Sequence, residues 1–333
     1  ELTDKYANGA GVDWKKEISD YAAYLKGKGE IKPEMPEKLA PVKEKELKVK
    51  GWPFDADRIK AMLADEKETR KEIELAPGIK MTFVRIPAGQ FVMGSYRGQS
   101  DTRPTAKVKI DKAFWMGELE VTNQQFNVIF PDHDSRFVDQ QWKDHVVQGY
   151  PANKPEQPVI RVSYNDAMDY CKKLSEKTGL NITLPTEAQW EWACRAGSDQ
   201  DFWYGDMNAD FGKKDNLADV TTLLLAVSGI DPQPMPKTSY WYKYYTYLPK
   251  EEGVDDGNLV QVGGKQYGNV AEWTRSDYLP YPYNEKSKEV SEYKVVRGGS
   301  YIERPKFSTA YTRKGYYPYQ RVFNVGFRVI IED

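Results

Sequence analysis

The 333-residue sequence predicts an α+β fold poor in regular secondary structure. Three observations carry that prediction. Strand-like alternation opens the main body at about residue 78. Three helices in its middle begin with the same cap. After Gly197 no long helical period recurs, and short segments are broken by Gly, Pro and Asn.

The N-terminal part differs in texture. Trp14 to Leu25 places Ile18, Tyr21, Ala22 and Leu25 at helical spacing, and Gly27 and Gly29 end the pattern. Residues 31–50 are rich in Lys, Glu and Pro and read as an extended linker. Gly51-Trp-Pro-Phe-Asp-Ala-Asp57 opens a second short helix, with Asp55 as its N-cap. Residues 1–75 are therefore expected to form a helical and linker extension, and residues 76–333 the main domain. Short helices are marginal in water, so the extension is expected to lie against the main domain or a partner.

In the main domain, Met81-Thr-Phe-Val-Arg-Ile86 alternates like a strand, and Pro87-Ala-Gly89 turns the chain into Phe91-Val-Met-Gly94. Lys107-Val-Lys-Ile110 is a half-buried strand with its lysines outward. Thr122-Asn-Gln-Gln125, Ser163-Tyr-Asn-Asp166 and Thr186-Glu-Ala-Gln189 each set a hydroxyl three residues before an amide or carboxylate. That is the capping-box pattern, in which two side chains satisfy amides left unbonded at a helix start. The second of these helices carries Ala167, Tyr170, Cys171 and Leu174 on one stripe, and the third carries Trp190, Ala193 and Cys194. Asp134 to Pro155 reads as an inserted loop.

Composition narrows the function. The 48 Lys+Arg nearly cancel the 50 Asp+Glu with no block of one sign, so no nucleic-acid partner is expected. Mean hydropathy is −0.73, and no apolar run approaches the roughly 20 residues of a membrane span. Two cysteines exclude a disulfide framework and read as buried free thiols. Aromatic residues reach 13% and cluster in Pro-rich stretches, which suits irregular backbone held by amphipathic rings. A Gly-x-Ser-x-Gly elbow, a Walker loop and a His-Glu-x-x-His helix are all missing.

Seven phrases in order then carry a resemblance: Ile86-Pro-Ala-Gly-Gln-Phe-Val-Met-Gly94, Glu120-Val-Thr-Asn123, Pro158-Val-Ile-Arg-Val-Ser163, Leu184-Pro-Thr-Glu-Ala-Gln-Trp-Glu191, Gly268-Asn-Val-Ala-Glu-Trp-Thr274, Arg297-Gly-Gly-Ser300 and Gly326-Phe-Arg328. The chain resembles the sulfatase-modifying-factor family of formylglycine-generating-enzyme-like domains. The resemblance implies a C-type-lectin-like fold. The phrase Gly51-Trp-Pro-Phe-Asp55 is also similar to a subgroup at the C-terminal end of larger bacterial proteins, which implies a fragment of a longer polypeptide.

Enzymes of that family oxidise a substrate cysteine to formylglycine with two cysteines that follow the Gly-Gly-Ser motif and bind copper(I). Here Glu303 and Ser308 stand at those positions when counted from Ser300, and no cysteine follows Cys194. A carboxylate and a hydroxyl do not offer the soft thiolates that copper(I) needs, so no copper is expected. A second branch of the family holds iron on three histidines; this chain has only His133 and His145. A triad of both with Asp132 or Asp134 competes there with surface histidines in a polar loop.

The resemblance further implies structural calcium at Asn216, Leu217, Asp256 and Asn258, a mixture of side-chain and carbonyl oxygens that suits the ion. Read without the family, Asp255-Asp-Gly-Asn258 is a turn. A second calcium is implied at Gly268, Val270 and Glu272, although Lys265 stands where an Asn ligand is usual. Aromatic loops flank the altered segment. Trp241 in Ser239–Leu248, Arg304, Arg313 and Tyr317 are candidate lining residues of a groove for a protein or glycan ligand; the competing reading of Ser239–Leu248 is a hairpin burying its own rings. The expected function is a non-catalytic binding or structural module, secreted, periplasmic or on a bacterial cell surface. The alternative is an oxidoreductase-type enzyme of the family with altered metal or active-site chemistry around Glu303, Ser308 and Arg313.

Overall fold

The fold is taken from a computed structural model that describes residues 47–137, 152–209 and 269–333. A five-stranded sheet runs in the order β1 (Arg70–Ala76), β2 (Ile79–Ile86), β5 (Phe114–Gly117), β11 (Ile330–Ile331), β6 (Ile182–Thr183), with every pairing antiparallel. β3 (Gly89–Met93) and β4 (Ala106–Ile110) form a two-stranded ribbon. A four-stranded sheet has the order β10 (Val325–Gly326), β7 (Ala271–Asp277), β8 (Lys294–Arg297), β9 (Arg313–Tyr316), with β10 and β7 parallel. Mixed sheets and few helices agree with the expected α+β class.

Local chemistry explains the elements. In β4, Lys107 and Lys109 point outward while Ala106, Val108 and Ile110 are buried, because successive strand residues face opposite sides. α2 (Asn123–Asn127), α3 (Tyr164–Thr178) and α4 (Glu187–Arg195) all start with complete capping boxes on Thr122, Ser163 and Thr186. Each is worth roughly 1 kcal/mol. Gly179 ends α3 in the left-handed conformation that its missing Cβ permits. The α3 stripe of Ala167, Tyr170, Cys171 and Leu174 is buried. Cys171 is a buried free thiol and Cys194 a partly covered one.

Two apolar cores result. One joins α3 to both large sheets through Phe83, Phe126, Tyr170, Trp273 and Phe327. The other gathers Phe91, Met93, Phe114, Trp190 and Trp192. Replacing a ring such as Phe91 by alanine costs about 3–5 kcal/mol at sites of this kind.

The expected domain boundary at 75/76 moves toward the N-terminus. β1 lies on the wrong side of it and is an edge of the large sheet. The compact unit begins at Leu47. Short α1 (Ala56–Met62) is capped by Asp55, which accepts from the Arg58 amide at 3.0 Å, but it buries none of its own residues. Trp52 and Phe54 do the anchoring: their rings lie 5.9 and 5.5 Å from that of Trp192. The Phe54 amide donates to the Gly197 carbonyl at 3.0 Å. Gly197 has φ +92°, and a Cβ there would run into the Phe54 ring and carbonyl. The expected helix at Trp14–Leu25 lies outside the described residues.

Candidate functional site

The turn after β8 positions the altered segment. Gly298 takes a left-handed φ of +74° beneath the Trp190 ring. Gly299 leaves room for Ser308, since a Cβ on it would overlap the Ser308 side chain. Ser308 is fully buried there. Ser300 donates to Glu303 Oε2 at 2.7 Å and accepts from Asn324 Nδ2 at 2.8 Å. The other Glu303 oxygen is ion-paired with Lys314. Tyr311 is buried and donates to Asp201 Oδ1 at 2.6 Å. Glu303 thus has both carboxylate oxygens engaged, while the buried Ser308 hydroxyl reaches only the Arg304 carbonyl, at 3.5 Å. Arg304 is exposed at the start of a 3₁₀ turn, Pro305–Phe307.

Beneath this segment lies a buried ion network built on α4. Its helical spacing puts Glu187, Glu191 and Arg195 on interior positions. Arg297 donates to Glu187 Oε1 at 3.1 Å, to Glu191 Oε2, and to the carbonyls of Ala310 and Tyr311. Arg195 donates to Glu191 Oε1 at 2.9 Å and to the Gly94 carbonyl at 3.0 Å. Arg313 donates twice to Glu187 and also to the carbonyls of Asp101 and Leu279. Its guanidinium lies 4.4 Å from the ring centres of both Tyr278 and Tyr281. Buried charges persist when they are paired and hydrogen-bonded, and these are.

That geometry corrects the place given to Arg313. Expected to share a groove with Arg304 and Tyr317, it is drawn inside by Glu187, a partner 126 residues away in sequence. Tyr317 stays at the surface, in a stack with Tyr293 at 4.4 Å and Tyr319 at 5.4 Å. Trp241 lies outside the described residues, as do Asn216, Leu217, Asp256, Asn258 and Gly268 of the calcium expectations.

Glu272 is likewise engaged elsewhere than expected. Arg328 donates to its two oxygens at 2.7 Å each, and Trp190 Nε1 donates to Oε2 at 2.8 Å. A fork-to-fork pair of this kind uses the lone pairs a calcium ion would take. Val270 is buried in a small apolar cluster with Ile160 and Ala152. Of the expected ligands, Glu272 is the one whose carboxylate oxygens are already engaged by Arg328 and Trp190. Beside them Glu120 is buried and accepts from Asn269 Nδ2 at 3.1 Å, leaving Oε2 without a hydrogen-bond partner among the described residues. Burial, reinforced by Glu272 and opposed by Arg328, pushes the Glu120 carboxyl up to about 8.

His133 packs edge-on against Phe126 and places Nε2 3.0 Å from the Ile160 carbonyl, and burial lowers its pKa. Asp134 accepts from the Arg136 amide and from Asn153. His145 lies outside the described residues. Among the described residues no group of three or more His, Cys, Asp or Glu side chains is arranged to hold a metal.

One cavity stands apart from the altered segment. It encloses about 440 Å³ between the end of β7 and the excursion 278–289, with Glu187, Arg275, Tyr281, Tyr283, Glu285 and Glu289 among its walls. The aromatic run Tyr278-Leu-Pro-Tyr-Pro-Tyr283 marks it in the sequence.

Comparison with known proteins follows the same lines. A family model described as the sulfatase-modifying factor enzyme 1-like domain matches residues 70–333. The formylglycine-generating enzyme of Mus musculus is 26% identical over 295 residues, covering 74% of this chain and 73% of that protein. The inactive C-alpha-formylglycine-generating enzyme 2 of the same organism is 26% identical over 298 residues, covering 74% and 84%. Among solved structures, PvdO from Pseudomonas aeruginosa superposes with a TM-score of 0.56 at 24% identity, covering 80% of this chain and 100% of that one. It has the same fold.

Proposed function

Because the chain belongs to the sulfatase-modifying factor enzyme 1-like family, we propose that it keeps the family scaffold as a non-catalytic module. Its role is binding or structural, in the bacterial cell envelope or exterior. One observation carries this reading. Glu303 and Ser308, at the positions counted for the copper-binding cysteines, are tied to Lys314 and Ser300 and buried against Gly299 respectively. Oxygen donors already engaged in the wall do not fit copper(I), which takes soft thiolates. The two thiols of the chain do not replace them, since Cys171 is buried on the α3 stripe and Cys194 on α4 packs beside the apolar clusters.

An inactive relative of comparable identity supports loss of the reaction on a retained fold. The location rests on the resemblance of Gly51–Asp55 to domains carried by larger bacterial proteins. Calcium at Asn216, Leu217, Asp256 and Asn258 belongs to the same reading as a structural ion. The ligand is a protein or a glycan, with Tyr317 and Arg304 the described surface residues it would meet.

The deciding experiment incubates the purified chain with copper(I) and a cysteine-containing peptide and follows peptide mass. No formylglycine product is expected. Its appearance, lost when copper is chelated, would overturn the reading.

A further inference from the structure

The cavity beside β7 has a pinned wall. Arg313 sits between Tyr278 and Tyr281 and donates to the Leu279 carbonyl. Tyr278 donates to Asp101 Oδ2 at 2.6 Å, and Tyr281 donates to Glu187 Oε1 at 3.2 Å. The inner wall is therefore held by Arg313, Tyr281 and Glu187, all of them buried. Its volume falls within the range of small-ligand sites, about 300–1,000 Å³.

The cations in its wall are already matched. Arg275 is ion-paired with Glu332, and Arg313 with Glu187. Of the acids, Asp277 is paired with Lys294. Glu285 and Glu289 remain, and neither carboxylate has a hydrogen-bond or ion-pair partner among the described residues. The segment that bears them alternates: Glu285, Ser287 and Glu289 line the cavity, and Lys286 and Lys288 do not. Glu285 and Glu289 are both exposed, so they stand at the mouth of the cavity, beside a turn closed by the Ser287 amide donating to the Asn284 carbonyl at 3.1 Å. Partial desolvation and then Asp111 raise the Glu285 pKa, and Arg275 opposes them in part. A cation entering the cavity would oppose them further.

Shape narrows the cation. Leu279, Pro280 and Pro282 offer apolar wall for an alkyl stem. A guanidinium is best held by stacking on aromatic faces, but Arg313 already occupies a face of both Tyr278 and Tyr281. A compact ammonium asks only for carboxylate oxygens. We propose that this cavity binds an alkylammonium group, either of a free diamine or of a lysine side chain, with Glu285 and Glu289 as its counter-charges. The site shares no residue with the segment 300–308, so it stands whether or not that segment is catalytic.

The test is calorimetric titration of the full chain with 1,5-diaminopentane, Nα-acetyl-lysine-N-methylamide and the neutral isostere Nα-acetyl-norleucine-N-methylamide. At least one cation should bind at least tenfold tighter than the neutral compound, and added salt should weaken it. A preference for the diamine or for the capped lysine identifies the source. The double variant Glu285→Gln/Glu289→Gln, verified as folded by an unchanged melting temperature, should lose at least tenfold in affinity. Equal binding of charged and neutral compounds, no binding at millimolar concentration, or an unaffected double variant would each overturn the proposal. The single variants E285Q and E289Q serve if the double variant melts early.

Discussion

Arg313 donates to both carboxylate oxygens of Glu187, at 2.8 and 3.1 Å, with both side chains about 1% exposed. Glu187 opens helix α4 and Arg313 opens strand β9, so this pair fastens the second sheet to the helix. Removing one partner leaves the other charge buried and uncompensated. Arg313→Ala should therefore cost about 3–5 kcal/mol in denaturant unfolding. Arg313→Lys should recover only part of it, because an ammonium cannot make the paired contact. A loss below about 1 kcal/mol would mean the pair is dispensable.

Glu120 gives stability a pH dependence of definite sign. Its carboxyl is raised from 4.5 to about 8 in the folded chain, first by burial. The folded state thus binds more protons than the unfolded state between those values. Stability is greatest below the window and falls as pH rises through it. Glu120→Gln mimics the neutral acid and should match the native melting temperature near pH 4, then exceed it by a margin that grows up to about pH 8. Parallel melting curves for the two proteins across that range would remove Glu120 as the cause.

The boundary at Leu47 is open to a direct check. A chain of residues 47–333 and one of residues 70–333 differ by Trp52, Phe54 and α1. The shorter one uncovers Trp192 and should lose roughly 3 kcal/mol, the scale of exposing two large apolar side chains. Trp52→Ala in the full chain should move stability the same way by less. Equal stability of the two fragments would place the boundary near residue 70.

Calcium at the site of Asn216, Leu217, Asp256 and Asn258 predicts that a chelator lowers the melting temperature and that calcium restores it. At a hundredfold excess over Kd the ion contributes about 2.7 kcal/mol. Glu272→Gln should leave that calcium-dependent shift unchanged, since Glu272 is occupied by Arg328, while lowering the melting temperature overall. A melting curve indifferent to chelator would eliminate the ion.

Features governed by near neighbours were legible in the sequence. The capping boxes at Thr122, Ser163 and Thr186 depend on contacts three residues apart, and all three form. The Asp55 cap, the alternation of Lys107 and Lys109, and the buried stripe of α3 have the same short range. The family match over residues 70–333 was legible because its phrases are local as well.

The fold class, the helix starts and the lack of any cysteine after Cys194 follow from local sequence alone. Which charges are free to act depends on how the chain folds. Arg313 looks like a surface arginine until β9 is laid beside α4, and Glu272 looks like a metal ligand until Arg328 reaches it from 56 residues away. The physical reason is that a charge is claimed by whichever opposite charge shares its low-dielectric surroundings, and chain folding brings those partners together from any distance in sequence. The same pairing singles out Glu285 and Glu289, whose charges the described structure leaves unclaimed.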